Sequence, residues 1–173
     1  IPTLNQDTTG NAATFTVSAN NSNNETVYPV FVDGTTGAQG AETDTGLTYN
    51  PSSNVLTVGT LDVGSSNISS GTHGPFTASA GTTVTADSTA VGSANAIEYT
   101  IYISNSTNIQ SQKVLIMDNG TTAYISEFAV MSNPNLIVTF TADVSSGNVR
   151  LRATPETGIS GPTTIKFTKM IIE

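Results

Sequence analysis

The stretch Ile97-Glu98-Tyr99-Thr100-Ile101-Tyr102-Ile103 decides the fold, because two kinds of side chain alternate along it. Its odd-numbered positions carry Ile, Tyr, Ile and Ile, whereas its even-numbered positions carry Glu, Thr and Tyr. A β-strand directs successive side chains to opposite faces, so the odd-numbered set lies together on one face. The sequence therefore predicts a strand whose odd-numbered face packs into a hydrophobic core.

Similar strands continue through residues 93–173, separated by hairpin-type turns such as Asp118-Asn119-Gly120 and Ser145-Ser146-Gly147-Asn148. Six runs read as strands: Ile97 to Ile103, Lys113 to Met117, Tyr124 to Val130, Leu136 to Val144, Val149 to Ala153 and Thr163 to Ile172. Six strands at short spacing are typical of an antiparallel sandwich or jelly roll. We therefore predict a C-terminal antiparallel β-sandwich, jelly-roll-like, over residues 93–173.

Residues 59–92, which precede the predicted sandwich, are rich in Gly, Ser and Thr and contain only isolated apolar residues. Such a segment buries too little apolar surface by itself to offset the entropy of ordering the chain. We therefore expect residues 59–92 to be either a flexible linker or a thin shaft that wraps around identical chains. The shaft is the favoured interpretation.

Residues 1–58 read as short strands between polar turns, and we predict an N-terminal, fibre-like β-rich region. Ala13 to Val17 and Thr26 to Val32 are predicted strands. The clearest hairpin runs from Gly46 to Val58, with Asn50 to Asn54 as its loop and Pro51 presetting a turn dihedral.

Composition supports an all-β fold for the whole chain. Thr, Ser, Asn and Gly supply 80 of the 173 residues. Thr favours strands because its branched side chain packs well on a pleated surface, whereas the other three favour turns. There is no Cys, which excludes disulfides, thiolate metal sites and cysteine nucleophiles. No run approaches the roughly 18 consecutive apolar residues of a membrane helix, so no membrane partner is expected.

Charge is distributed unevenly along the chain. The net charge is −8, and all five Lys and Arg residues follow residue 92. Residues 1–92 therefore carry −7 (seven acids, no base) and residues 93–173 carry −1 (six acids, five bases). This balance argues against nucleic-acid binding, which requires Lys and Arg to replace phosphate counterions. It also predicts two regions with different surfaces.

Two stretches resemble structural proteins of tailed bacteriophages. Gly46 to Leu61 resembles a repeat of fibre and baseplate-associated proteins, notably in contractile-tailed phages of marine cyanobacteria, and Asn11 to Ala38 resembles its usual companion. Lys113 to Ile172 resembles a C-terminal β-domain of many phage virion proteins, through its Asp118-to-Tyr124 turn and its Asn148-to-Leu151 strand. The resemblance implies a virion location, frequent trimers and no catalytic residues to carry over.

Few residues are candidates for catalysis or for binding a metal or cofactor. His73 is the only histidine, so a multi-histidine metal site requires symmetric copies, and an exposed loop histidine is the simpler expectation. Candidate carboxylate pairs of a glycan-degrading enzyme are Glu42 with Asp44, and Asp118 with Glu127, and the first pair also has calcium-ligand chemistry. Without Trp to form a sugar platform, solvated acids are the simpler expectation. We predict no catalytic residue, no metal site and no cofactor.

A surface contact patch is the remaining candidate site. Its residues would be Tyr99, Tyr102, Tyr124, Arg150 and Arg152, because tyrosine and arginine combine large area with directional hydrogen bonds. Arg150 and Arg152 alternate with apolar residues and should share an outer face. In the alternative interpretation, the tyrosines cap the sandwich core and the arginines pair with nearby acids.

The sequence therefore predicts a non-enzymatic virion structural protein, a trimeric tail-fibre or fibre-like module acting in assembly or host attachment. Its partners would be copies of itself, other virion proteins of the tail, baseplate or capsid, and a host surface glycan or protein. Ordering of residues 1–92 is expected to be coupled to trimer assembly. The alternative is a capsid-decorating or head-fibre protein, and a glycan-degrading fibre or a bacterial surface adhesin is a weaker alternative.

Overall fold

The computed structural model describes residues 18–36 and 40–173, which form thirteen β-strands and no helix. The chain divides into two compact units, the first ending at Gly59 and the second running from Thr60 to Glu173. Every pair of strands in these described residues is antiparallel. The predicted all-β fold is confirmed, whereas the predicted strand Ala13 to Val17 lies outside the described residues.

The described residues of the first unit form two small two-stranded sheets. Its strands are β1 (Val30–Phe31), β2 (Glu42–Thr43), β3 (Thr48–Asn50) and β4 (Val55–Thr57). The predicted hairpin is the β3–β4 pair, in which Tyr49 lies opposite Leu56. Its loop is held by Asn50, whose Oδ1 accepts hydrogen bonds from the backbone N–H groups of Ser52 and Ser53.

The second unit consists of a six-stranded and a three-stranded sheet. Its strands are β5 (Thr60–Asp62), β6 (Ser66–Ser79), β7 (Val84–Ala90), β8 (Ala96–Asn105), β9 (Asn108–Asp118), β10 (Ala123–Asn133), β11 (Val138–Ser145), β12 (Asn148–Pro155) and β13 (Ser160–Ile172). The larger sheet has the order β10-β9-β8-β13-β6-β5, and the smaller has the order β11-β12-β7.

One hydrophobic core joins the two sheets of the second unit, which makes this unit a β-sandwich. The odd-numbered residues of the stretch that decides the fold are all buried, at 2% exposure or less. They cluster with residues of the smaller sheet, including Phe140 of β11 and Leu151 of β12. Burial of these side chains removes apolar surface from water and is the main term that stabilises the sandwich.

Residues 60–92 of the predicted linker or shaft (59–92) are part of this sandwich, which corrects the expected boundary at residue 92. The 14-residue strand β6 pairs with β13 along most of its length, and β7 pairs with β12. On the core side of β6, a residue of a neighbouring strand fills the space beside Gly71, whereas Phe76 packs against the core itself. The ring of Phe167 in β13 occupies the place where a Gly71 side chain would be.

A buried amide reinforces the connection between the two sheets. Oε1 of Gln110 in β9 accepts hydrogen bonds from the backbone N–H groups of Ile137 (2.7 Å) and Val138 (2.9 Å). Its Nε2 donates to the carbonyl oxygen of Val138 at 2.8 Å and to Oε1 of Gln112 at 2.6 Å. The amide of Gln110 thus satisfies backbone N–H and carbonyl groups at the start of β11, as a neighbouring strand would.

Candidate interaction surface

Tyr99 is buried and therefore does not reach any surface patch. Only 1% of this residue is exposed, and its hydroxyl donates a 2.8 Å hydrogen bond to Oδ2 of Asp87 in β7. Nζ of Lys169 in β13 donates to the same carboxylate oxygen at 2.8 Å and to Oγ1 of Thr89 at 3.3 Å. Burial raises the pKa of the Tyr99 phenol far above its ordinary value, and the negative charge of Asp87 raises it further. These residues link the two sheets and correct the assignment of Tyr99 to a contact patch.

Arg150 and Arg152 lie on β12 and are engaged by neighbours in the smaller sheet. Arg150 binds Asp143 of β11 with two hydrogen bonds, Nε to Oδ1 at 2.7 Å and Nη2 to Oδ2 at 2.6 Å. The hydrogen bond from Arg150 lowers the pKa of the Asp143 carboxyl group. Nη1 of Arg152 donates to Oγ1 of Thr85 in β7 at 2.7 Å. Arg150 therefore fits the alternative interpretation, in which the arginines pair with nearby acids.

Tyr102 and Tyr124 are exposed on the side of the six-stranded sheet that faces away from the smaller sheet, which we call the outer face. Tyr102 lies in β8 opposite Ser111 of β9, and Tyr124 lies in β10 opposite Met117 of β9. About half of each tyrosine is exposed. The five predicted contact residues therefore do not form one patch, and only these two belong to a surface that can bind a partner.

The outer face is unusually apolar for a surface exposed to water. Cross-strand partners lie on the same side of a sheet, so the register assigns each residue to a face. Large, exposed apolar residues on this face are Leu61, Ile68, Tyr102, Ile109, Leu115, Met117, Tyr124, Phe128, Met131 and Ile172. The largest exposed fractions are those of Met131 (64%) and Met117 (56%). A visible sequence signal was the run Val114-Leu115-Ile116-Met117, which is apolar at four successive positions and so predicts apolar side chains on both faces.

Few charged groups interrupt the outer face. Nζ of Lys113 in β9 forms a 2.6 Å ion pair with Oε1 of Glu98 in β8. Lys166 of β13 lies opposite Tyr102 and adds a second positive charge. Within residues 60–173, the strand register places Glu98 as the one acid on this face. The face is therefore slightly positive on a chain whose net charge is −8.

Hydroxyl groups form a shallow groove in the middle of the outer face. The groove has a volume of about 470 Å³, and its lining includes Ser70, Thr72, Thr100 and Thr168 beside Tyr102. A second depression of about 250 Å³ lies next to it and is lined by Tyr102, Ile109 and Met131 among others. These side chains supply both apolar contact area and hydrogen-bonding groups, which is the composition of a binding surface.

Three of the four carboxylates considered for glycan hydrolysis have local structural roles. Oδ1 of Asp44 accepts the N–H of Gly46 at 2.6 Å, and Oδ1 of Asp118 accepts the N–H of Gly120 at 2.8 Å, so both acids hold turns. Oε2 of Glu127 in β10 accepts hydrogen bonds from Nε2 of Gln112 and from the backbone N–H of Phe140. Glu127 thus connects β10 with β9 and with the smaller sheet.

His73 lies within β6, so the expected position in an exposed loop is wrong. Its cross-strand partner is Ile165, and its ring lies 5.2 Å from the ring of Phe76. Nε2 of His73 is buried and has no hydrogen-bond partner in the described part of the chain. In residues 18–36 and 40–173, no three His, Asp or Glu side chains lie close enough together to hold a metal ion.

Comparisons with known proteins give partial likenesses to phage tailspikes. No family model matches the chain, and no curated protein matches it. Among solved structures, the tailspike of Acinetobacter phage vB_ApiP_P1 shares 19% identity with a TM-score of 0.45, over 61% of this chain and 22% of the tailspike. The tailspike of Acinetobacter baumannii phage AM24 shares 8% identity with a TM-score of 0.36, over 62% and 25%. The chain thus spans a quarter or less of the length of either tailspike. No helix in the described residues has the length and apolarity needed to cross a membrane.

Proposed function

We propose that this chain is a non-enzymatic structural module of a phage virion, a trimeric tail-fibre-like element that acts in particle assembly or host attachment. The observation that carries this proposal is the outer face of the six-stranded sheet, which is a binding surface in composition and area. The virion location rests on the resemblance of Lys113 to Ile172 to a β-domain of phage virion proteins. Its partners are other copies of the chain, neighbouring virion proteins and the host surface.

The chemistry of the acidic side chains supports a structural role over catalysis. Glycosidases use two carboxyl groups that face the same bond, one of them free to act as acid or base. The carboxylates of Asp44 and Asp118 instead accept hydrogen bonds from backbone N–H groups two residues further along the chain. The carboxylate of Glu127 accepts one from a side-chain amide of the neighbouring strand. Their replacement should therefore change stability, with no activity to lose.

A direct assay tests the absence of catalysis. The full chain is incubated with purified surface polysaccharide of the bacterium to which the protein binds, and reducing ends are counted over time. We expect no release above the buffer control. Release that disappears in the variants Asp118→Asn and Glu127→Gln would establish a glycan-degrading fibre and overturn the non-enzymatic assignment.

Location on the particle is tested by labelling. Gold-conjugated antibodies against the purified chain are applied to particles of the phage that encodes it, and the label is mapped by electron microscopy. We expect label along the tail or at the baseplate. Label spread over the capsid would instead identify a capsid-decorating or head-fibre protein, and no label on intact or opened particles would reject the virion assignment.

A further inference from the structure

We propose that other copies of the same chain cover the outer face of the six-stranded sheet, and that this face holds the assembly together. The inference rests on the proposed function and identifies the contact through which the module associates. It places this contact in residues 60–173, whereas the sequence predicted assembly through the wrapping of residues 1–92.

The exposed apolar area has the size that a stable interface requires. If a large side chain has a full surface of about 200 Å², the ten exposed apolar residues of the outer face leave roughly 900 Å² in contact with water. The largest apolar patch of an ordinary monomer covers about 300–600 Å². A standard interface buries about 800 Å² on each partner. The exposed apolar area of the outer face is close to the area that one partner buries in a standard interface, so its size fits a stable contact.

Electrostatics favours a second copy of this acidic chain as the occupant. The chain has thirteen Asp and Glu residues against five Lys and Arg residues. The outer face carries Lys113 and Lys166 but only Glu98, which is already paired with Lys113. Repulsion between negative copies is therefore weakest at this face.

A bulge in the edge strand β10 disfavours association through that edge of the sheet and so favours association through the outer face. β10 is an edge strand, and its register with β9 shifts between Phe128 and Met131. At this bulge, Ala129 has a positive φ of 54°. A bulge interrupts the regular row of backbone groups that an added strand would need, and so it protects an edge from strand-to-strand pairing. Copies are thus expected to meet through the outer face rather than by extending the sheet.

Charge placed on the outer face tests the inference. In the full chain, Met117→Glu with Met131→Glu puts two acids at exposed positions of the face. Thr141→Glu adds an acid on β11, at an exposed position of the smaller sheet, and serves as the charge control. Leu56→Glu changes an exposed apolar residue of the first unit and tests the route through residues 1–92. The mass of each protein is measured by light scattering over a concentration series, and circular dichroism checks its fold.

The expected result is an assembled wild type, with three chains of 17.8 kDa each, and a double variant that has the mass of one chain. Association of the double variant should be weaker by a factor of roughly a hundred or more, whereas Thr141→Glu and Leu56→Glu should assemble like wild type. An assembled wild type whose double variant also stays assembled overturns this inference but leaves the fibre proposal standing. A wild type that is a single chain at every concentration overturns both.

A labelling experiment gives an independent answer if the charged variant does not fold. The chain has no cysteine, so single thiols are introduced as Met117→Cys and Thr141→Cys. In the assembled protein, a maleimide should react with the thiol at residue 117 about tenfold or more slowly than with the one at residue 141, since an interface core excludes water. Equal rates in an assembled sample would show that the outer face is open and would overturn the inference.

Discussion

The ring of Phe167 lies against the backbone of Gly71, its cross-strand partner, so closely that a methyl group on Gly71 would come within 2.3 Å of Cζ of Phe167. The same ring packs edge-on against Tyr99, with centroids 5.5 Å apart. The glycine therefore provides the space that lets an aromatic residue of β13 fill the core below the otherwise polar strand β6. The packing of β6, β8 and β13 against one another depends on this arrangement.

We predict that Gly71→Ala destabilises the second unit by about 1–3 kcal/mol, because overpacking forces Phe167 out of its position. The free energy of unfolding is measured by denaturant titration. Gly59→Ala is the matched control, since a methyl group there has no neighbour within 4 Å. Adding Phe167→Leu to Gly71→Ala should recover part of the loss, and a strictly additive double variant would contradict the steric explanation.

We predict that Tyr99→Phe destabilises the fold by about 1 kcal/mol at neutral pH, through loss of the hydrogen bond to Asp87. Asp87→Ala should be more harmful, by about 3 kcal/mol, because it also leaves Lys169 without its carboxylate partner. Thermal or denaturant unfolding of both variants measures the difference. A larger effect for Tyr99→Phe than for Asp87→Ala would contradict the assignment of Asp87 as the shared acceptor.

The raised pKa of Tyr99 predicts a loss of stability in alkali. The unfolded phenol ionises near pH 10, whereas the folded phenol keeps its proton to higher pH, so the unfolded state binds fewer protons above pH 10. This contribution to stability is complete below pH 10 and falls by up to about 1.4 kcal/mol for each further pH unit. Wild type should therefore lose stability more steeply than Tyr99→Phe between pH 10 and 11. Parallel curves would contradict the prediction.

We predict that Gln110→Met destabilises the sandwich by about 2–4 kcal/mol although it preserves the volume of the side chain. The substitution leaves the N–H groups of Ile137 and Val138 and the carbonyl of Val138 without the partners that Gln110 supplies. Hydrogen exchange should show the two amides exchanging faster than in wild type. Asn148→Ala, which removes a hydrogen bond at an exposed turn, should change stability far less.

We predict that Arg150→Gln raises the pKa of Asp143 toward its ordinary value near 4. The hydrogen bond from Arg150 is the main cause of the lowered pKa, whereas Arg152 contributes a weaker attraction. The pair stabilises the fold above pH 4, and this contribution disappears as the pH falls through the lowered pKa of Asp143. NMR titration of the carboxyl carbon measures the shift. An equal rise in Arg152→Gln would contradict this order of causes.

Sequence patterns predicted the elements whose signals are local. Strict alternation placed the odd-numbered side chains of β8 in the core, and the turn residues Asn50 to Asn54 identified the β3–β4 hairpin. Alternation also explains the error at Tyr99, which shares the parity of Ile97 and Ile101 and is therefore a core residue. Tyr102 has the opposite parity and is exposed.

The residues of β6 alone did not predict that this segment forms a strand of the sandwich. Position 71 is a glycine because the ring of Phe167, nearly a hundred positions later in the chain, occupies the space beside it. A composition rich in Gly, Ser and Thr therefore suggested a linker or a thin shaft where long-range pairing forms a strand. The apolar outer face depends in the same way on which strands are neighbours, so only the apolar run at residues 114–117 hinted at it.

The larger sheet of the sandwich cannot be completed until β13 has paired with its neighbouring strands. β13 is the final strand of the described chain, yet it lies between β8 and β6 in the larger sheet, and its Ile172 pairs with Ser66. The hydrogen-bonding edge of β8 that faces β13 stays open until the last strand arrives, and β6 and β5 join the sheet only through it. Folding should accordingly be slow, dominated by closure of a loop that spans the whole unit, and complete only after β13 has been synthesised.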